Sequence, residues 1–374
     1  MVSVNEHADG LVVGVDSGGS GLRIALAGAV GGGVLAERVS REPVRTGSGG
    51  ISAGHFLEQV LPAVGDLREA FPGRPVVAVA VGAAGMATLG DELRAELPDA
   101  FAEAWGVRRL VLAADAVTAY AGALGQRPGV VVAGGTGLIA LGTDLTSWRR
   151  ADGWGHLLGD CGSGAWIGRA GLEAAMRAYD GRRGGSETLL ARAEKRFGPA
   201  AGLAGVLYPR TDRPAVLASF APEVADCAAT DPVAAGILAR AAAHIAEAAE
   251  AACPPEPGAA VALTGGLFRM GEPLLGPLRA ALGESLPTAR TVEPTGDPLA
   301  GAVALAAAHA TGTLRLPEDP ALLRLFGARP ATGGASAQVG AGARERARVR
   351  PARGHAGGGT EAGAESGHRG AEDA

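Results

Sequence analysis

Leu11-Val12-Val13-Gly14-Val15-Asp16-Ser17-Gly18-Gly19-Ser20-Gly21-Leu22-Arg23-Ile24-Ala25-Leu26-Ala27 is the stretch that sets the fold class of this chain. Leu11 to Val15 is apolar throughout and predicts a buried strand. In the run to Ala27, Leu22, Ile24 and Leu26 alternate with Arg23 and Ala25, the period-two pattern of a half-buried strand. Between the runs lies Asp16 to Gly21, an acidic residue at a strand end followed by a glycine-rich turn. Such a turn offers backbone N–H groups to an anion. Two more stand downstream: Val130 to Ala133 leads into Gly134-Gly135-Thr136-Gly137, and Ala259 to Leu263 into Thr264-Gly265-Gly266. One such turn is weak evidence, because glycine is the default residue at any sharp turn. Three in order, with acidic residues at strand ends between them, predict an ATP site between two lobes.

Outward from the first turn, Val34 to Val39 predicts a third strand of the same meander. Phe56, Val60, Val64 and Leu67 recur at helical spacing, with Pro62 as a potential kink. Strand Val76 to Val81, a helix near Asp91 to Trp105 and strand Leu110 to Ala113 follow. A meander followed by alternating helix and strand predicts an α/β class with a mixed sheet. At Val130 the strand, glycine turn and strand recur, with Leu138 to Leu141 on the far side, which suggests duplication of one unit. Residues 164–180 and 186–196 read as helical, and Asp231-Pro232 and Asp297-Pro298 each place an N-cap before a first-turn proline. The expected division is 1–118 for the first lobe and 119–330 for the second, with helix 298–311 crossing back onto the first. Residues 331–374 hold almost no large apolar side chain and read as a disordered tail.

The 374 residues suffice for two domains. Charged residues are 20% and apolar ones 47%, as in ordinary globular proteins, and a net charge of −5 argues against a nucleic-acid partner. Cys161, Cys227 and Cys253 are scattered and odd in number, which suggests neither a disulfide framework nor a zinc knuckle. The start of the chain is polar and no apolar run is long enough to cross a bilayer, so a cytoplasmic protein without a membrane partner is expected.

For chemistry, Asp16 can hold magnesium through water or cap its own hairpin. Ser17, Gly18, Gly19 and Ser20, then Gly134, Gly135, Thr136 and Gly137, then Gly265 and Gly266, are the candidate ATP contacts. Asp115 follows a strand and precedes a helix, so it can take a proton from a substrate hydroxyl or simply N-cap that helix. The densest segment is Gly153-Trp154-Gly155-His156-Leu157-Leu158-Gly159-Asp160-Cys161-Gly162-Ser163-Gly164-Ala165-Trp166-Ile167-Gly168. In it Trp154, Gly155 and Asp160 are candidate sugar contacts. His156 either orients Asp160 or satisfies a backbone group.

That segment resembles the G-W-G-H-x-x-G-D-E-G-S-x-x-x-I signature of the N-acetylglucosamine kinase branch of the BadF/BadG/BcrA/BcrD ATPase family, within the actin/hexokinase/Hsp70 superfamily. Asp16 to Ser20 is similar to its first phosphate motif, Gly134 to Gly137 to its second, and Thr264 to Gly266 to its adenosine motif. The resemblance spans about residues 11–315 and implies two ribonuclease-H-like lobes with a cleft between them. It further implies ATP and Mg2+ as cofactors, a homodimer, and phosphorylation of an amino sugar such as N-acetylglucosamine. Asp115 would be the catalytic base, Asp160 a sugar contact and Asp16 a holder of magnesium. The chain departs from the pattern at Cys161, where glutamate is usual, and at Thr46 to Gly50, where an asparagine is expected. It departs again at Ser20-Gly21-Leu22, in place of a T-K-T-like run. The rival readings are a sugar or ATP sensor with little or no activity, and an ATPase activator of the 2-hydroxyacyl-CoA dehydratase type.

Overall fold

The computed structural model of the chain describes residues 9–19, 21–31, 33–47 and 49–327. Ser20, Ser48 and the segment 331–374 therefore lie outside the described residues. The strands are β1 (Leu11–Gly18), β2 (Gly21–Gly28), β3 (Val34–Ser40), β4 (Thr46–Gly47), β5 (Gly50–Ile51), β6 (Val76–Ala83) and β7 (Leu110–Ala114). They continue with β8 (Gly129–Gly134), β9 (Leu138–Thr143), β10 (Trp148–Asp152), β11 (Ala260–Thr264), β12 (Arg290–Val292) and β13 (Leu323–Phe326). The helices are α1 (Ala53–Arg68), α2 (Met86–Leu89), α3 (Asp91–Trp105), α4 (Asp115–Leu124), α5 (Gly164–Tyr179) and α6 (Glu187–Phe197). The rest are α7 (Leu203–Leu207), α8 (Arg213–Ser219), α9 (Ala221–Cys227), α10 (Pro232–Ala252), α11 (Glu272–Ser285) and α12 (Pro298–Thr311).

The first sheet runs β13-β7-β6-β1-β2-β3 and the second β10-β9-β8-β11-β12. Both contain the same unit: an antiparallel meander whose first strand pairs in parallel with a later one, β1 with β6 and β8 with β11. The expected duplication is thus present in the topology. Parallel pairing needs a crossover on the sheet face, which explains why near-continuous apolar runs mark β6 and β8.

Sheet two shows its packing in its alternation. Val130, Val132 and Val261 enter one core with α5, α6, α9, α10 and α11, whereas Val131, Ala260 and Ala262 enter another with sheet one, α1, α3, α4 and α12. Period-two alternation along a strand sends neighbours to opposite faces, so sheet two is covered on both sides. Helix α10 begins where predicted: the Asp231 side chain accepts from the N–H groups of Val233 and Ala234, and Pro232 occupies the first turn. Its Ile237, Leu238 and Ile245 are fully buried, each contributing about 1.5–3 kcal/mol.

Helices α4 and α12 link the two sheets. α4 leaves β7 and packs against β8 and β9, whereas α12 follows β12 of sheet two and lies on β1 and β6 of sheet one. Glycines set these close approaches. A Cβ at Gly301 would run into the Thr118 carbonyl, and one at Gly122 into the Asp297 carbonyl. Gly14 likewise has Val303 of α12 at 2.7 Å from where its Cβ would be. Helix 298–311 accordingly lies against the first sheet, and the point between residues 118 and 119 lies inside α4. No helix among the described residues is long and apolar enough to cross a membrane.

Candidate active site

Strands β1, β6 and β7 are parallel and in register, with Asp16 opposite Gly82 and Gly82 opposite Ala113. Asp16 and Asp115 therefore stand on the carboxyl edge of sheet one, two strand spacings apart, or roughly 10 Å. That edge is where ligands of open α/β sheets gather. β8 and β11 bring Ala133 opposite Thr264, which places the second and third glycine turns side by side on the corresponding edge of sheet two. Gly265, with φ 103°, lies directly against the Gly134 carbonyl.

Not every glycine in these turns is needed for the same reason. Gly134 and Gly137 are hemmed in by Leu267 and by Asp160, and Gly265 by backbone. Gly18, Gly19, Gly135 and Gly266, by contrast, open on empty space, and none of them has positive φ. Neither protein packing nor backbone strain demands glycine at these four positions.

Asp16 does not cap its own hairpin. Its Oδ2 accepts from Arg23 Nη2 at 2.8 Å and Nε at 3.2 Å. Arg23 sits directly opposite on β2, so the cross-strand register delivers the pair. The same guanidinium donates to Asp297 Oδ2 at 2.6 Å, and Asp297 in turn N-caps α12 through Ala300 N–H. Ser17 beside it is buried, while Gly19 is exposed.

Asp115 is the first residue of α4, and the helix has no side-chain N-cap, because Ala114 occupies that position. Asp115 Oδ1 accepts from the next residue's N–H, that of Ala116, at 2.9 Å. The N-cap alternative is thereby answered: the aspartate is inside the helix. Its side chain reaches solvent yet is ringed by protein, and this desolvation pushes its pKa above the ordinary carboxylate value. The Ala116 N–H pulls it back, the Asp16 charge raises it further, and Arg150 lowers it.

Asp160 is buried, with φ 54°. Its Oδ1 accepts from Gly155 N–H at 3.0 Å, so the backbone of Gly155 orients it, the part the sequence left open to His156. Its Oδ2 stands 2.6 Å from where a Gly137 Cβ would be, which joins the densest sequence segment to the second glycine turn. Burial raises its pKa; Gly155 N–H lowers it and the Asp152 charge adds to the rise. Trp154 is 65% exposed, with the Arg150 guanidinium 4.5 Å from its ring centroid. Ile167 is buried on α5, and Trp166 packs edge-on to His244. The N-terminus of α5 is already engaged: Gly164 and Ala165 N–H donate to the Gly135 and Thr136 carbonyls, and Ser163 caps Trp166 N–H.

The structure thus groups Asp16 with Asp115 on one edge, and Asp160 with the second and third turns on the other. Arg150, stacked on Trp154, acts electrostatically on Asp115 across the gap. Three residues of this arrangement escaped the sequence reading: Arg23, Arg150 and Asp152. The signal for Arg23 was available, since a charged residue inside an alternating strand needs a partner. Arg150 and Asp152 lie on β10, an edge strand whose mixed composition, Trp-Arg-Arg-Ala-Asp, hides it.

Two sheets built on the same unit, glycine turns at their carboxyl edges and a crossing helix pair define an actin-like ATPase fold, with the candidate site at the strand ends. The chain belongs to the BadF/BadG/BcrA/BcrD ATPase family, whose model matches residues 13–306. A candidate N-acetylglucosamine kinase from Chromobacterium violaceum is similar in structure, with a TM-score of 0.59 and 29% identity over 78% of this chain and 97% of that one. A second candidate N-acetylglucosamine kinase, from Porphyromonas gingivalis, shares the fold at a TM-score of 0.58 and 18% identity, over 80% of this chain and 98% of that one. The N-acetylmuramic acid/N-acetylglucosamine kinase of Clostridium acetobutylicum is 39% identical over 83 residues. That match spans 22% of this chain and 26% of the relative, about a quarter of its length.

Proposed function

We propose that this protein is an ATP-dependent kinase of an amino sugar such as N-acetylglucosamine, with Asp115 as general base. The observation that carries the reading is the set of open glycines, Gly18, Gly19, Gly135 and Gly266, on the carboxyl edges of both sheets. Space reserved at these positions suits a ligand whose phosphates approach the backbone closely. Ser17, Thr136 and Gly265 would complete the contacts, and Ser20 is assigned with them from sequence. The names of the relatives supply the sugar.

In this scheme Asp115 accepts the proton of the sugar hydroxyl as its oxygen attacks the γ-phosphorus, and the bond to the β–γ bridging oxygen breaks to release ADP. A raised pKa suits a base, because a carboxylate that holds its proton more firmly accepts one from a hydroxyl more readily. Trp154, Gly155 and Asp160 would hold the sugar, with Asp160 accepting hydroxyl hydrogens. No group of three or more His, Cys, Asp or Glu that could cage a metal occurs among the described residues. In this scheme a Mg2+ ion would arrive on the ATP phosphates and be met by Asp16 through water. Bound there, the ion would neutralise charge on the β- and γ-oxygens. The expected lobes, drawn in sequence as 1–118 and 119–330, would close over both substrates, with α12 and β13 of the second range moving with sheet one.

The dehydratase-activator alternative needs thiolates gathered on a cluster. Here Cys227 and Cys253 are buried in the second core and Cys161 lies beside Asp160. The reading is tested by ADP release with ATP, Mg2+ and a panel of N-acetylglucosamine, N-acetylmuramic acid, glucosamine, N-acetylmannosamine and glucose. Sugar-dependent turnover is expected. ATP binding without sugar-stimulated turnover would replace the kinase with the sensor.

A further inference from the structure

Asp152 ends β10, eight residues before Asp160, and its two carboxylate oxygens each take a backbone donor. Oδ1 accepts from Asp160 N–H at 2.6 Å and Oδ2 from Cys161 N–H at 2.8 Å. Two donors on one carboxylate fix the direction of the intervening peptide as well as its position. The fixing has something to hold: Asp152 and Asp160 both have left-handed backbone, φ 60° and 54°, a conformation L residues rarely adopt. Gly159 between them leaves no slack, because a Cβ there would run into Asp152 Oδ1. Once the Asp160 backbone is pinned, its carboxylate can meet both the Gly155 N–H and the edge of Gly137.

We propose that Asp152 is the positioning residue of the sugar site, holding Asp160 against the second glycine turn in the orientation that meets a sugar hydroxyl. The proposal rests on the reading of Asp160 as a sugar contact. Asp152 itself touches no reacting atom in this scheme and acts through Asp160.

The full-length chain serves for the test, as wild type and as Asp152→Asn, Asp152→Ala and Asp160→Asn. Calorimetric Kd values for N-acetylglucosamine and for ATP are compared. Iodoacetamide alkylation of Cys161 as a function of pH is followed in parallel. Cys161 is the accessible one of the three thiols, because Cys227 and Cys253 are buried. Burial raises its pKa first and the Asp152 charge raises it further. Removing that charge in Asp152→Asn should therefore move the alkylation profile to lower pH.

Asp152→Ala is expected to weaken sugar binding by about tenfold while ATP binding stays within about twofold. Asp152→Asn should fall between, since its amide oxygen can still accept one of the two N–H groups. If Asp152→Ala does not fold, Asp152→Asn carries the comparison. An Asp160→Asn variant that loses sugar affinity beside an Asp152→Ala that keeps it would overturn the positioning role. Equal losses for sugar and ATP in Asp152→Ala would reduce Asp152 to a general loop brace and overturn it too. Unchanged sugar binding in Asp160→Asn itself would remove the reading of Asp160, and with it the proposal. That case is recognised by a shifted Cys161 profile in Asp152→Asn with no sugar effect in any variant.

Discussion

An ionised Asp115 costs the folded chain stability while serving the proposed reaction. Its folded pKa is raised above the unfolded value, so the native state binds the extra proton in the window between them. Stability therefore falls as pH rises through that window, and above it the cost is present in full. Asp115→Asn has no charge to desolvate and keeps an oxygen for the Ala116 N–H. Its Tm at pH 8 should be no lower than that of the wild type, while kcat drops by about 10²–10⁴-fold. Wild-type kcat/KM should fall as pH is lowered through the raised pKa, because only the carboxylate is a base. A variant that loses stability and keeps turnover would assign Asp115 a structural role. Gly19→Ala and Gly135→Ala probe the opposite case. With open space and no positive φ, alanine should leave stability within about 0.5 kcal/mol or raise it. ATP affinity, measured by calorimetry, should nevertheless fall by about tenfold as the methyl enters the ligand's space. At this scale the sequence identified the glycines and the aspartates but not their pairings. Asp16 opposite Arg23, and Asp152 beneath Asp160, are made by register and by loop closure, which no local pattern reports.

Among elements, strand starts were legible and strand ends were not. β1 was read as Leu11 to Val15 and continues to Gly18, because β2 pairs with it down to Gly18 opposite Gly21, and glycine carries no strand signal of its own. β13 at Leu323–Phe326 was missed: it adds antiparallel to β7 at the sheet edge after a long gap in sequence, a pairing that only tertiary context supplies. α3 was read near Asp91 to Trp105 and spans Asp91–Trp105, and its ends carry an acidic first turn and the left-handed Gly106. The most constrained elements are the crossing helices, and they yield a sharp expectation. Gly301→Ala places a methyl against the Thr118 carbonyl, backbone that cannot rotate away. It should cost about 1–3 kcal/mol in urea unfolding. Asp297→Ala removes both the α12 cap and a partner of Arg23, and should cost about 1 kcal/mol, less at high salt because Asp297 is half exposed. If Gly301→Ala unfolded at the wild-type urea midpoint, the α4–α12 contact would not be the close one described.

For the whole molecule, the helix pair decides what motion is available. Sheet one and sheet two are joined by α4 and by α12 with its preceding segment, where Thr295 Oγ1 donates to the Gly122 carbonyl at 2.9 Å and Asp297 meets Arg23. Packed backbones at Gly122 and Gly301 resist sliding, so relative movement of the sheets should be rotation about this pair, with the carboxyl edges approaching each other. Rotation of that kind would bring Asp160 and the second and third turns toward Asp16 and Asp115, the two groups that now stand on separate edges. Under the proposed scheme ATP would touch glycines on both edges and the sugar would span Asp160 and Asp115, so the full set of bridging contacts needs both substrates and neither alone should complete the closure. Small-angle scattering of the full chain is therefore expected to show a smaller radius of gyration with a non-hydrolysable ATP analogue and N-acetylglucosamine together, and little change with either alone. Gly301→Ala, whose pivot is displaced, should lose the doubly liganded compaction even at temperatures where it remains folded. An unchanged radius in the doubly liganded wild type, with both ligands shown to be bound, would mean that the edges already stand at their working separation and that no lobe closure accompanies catalysis.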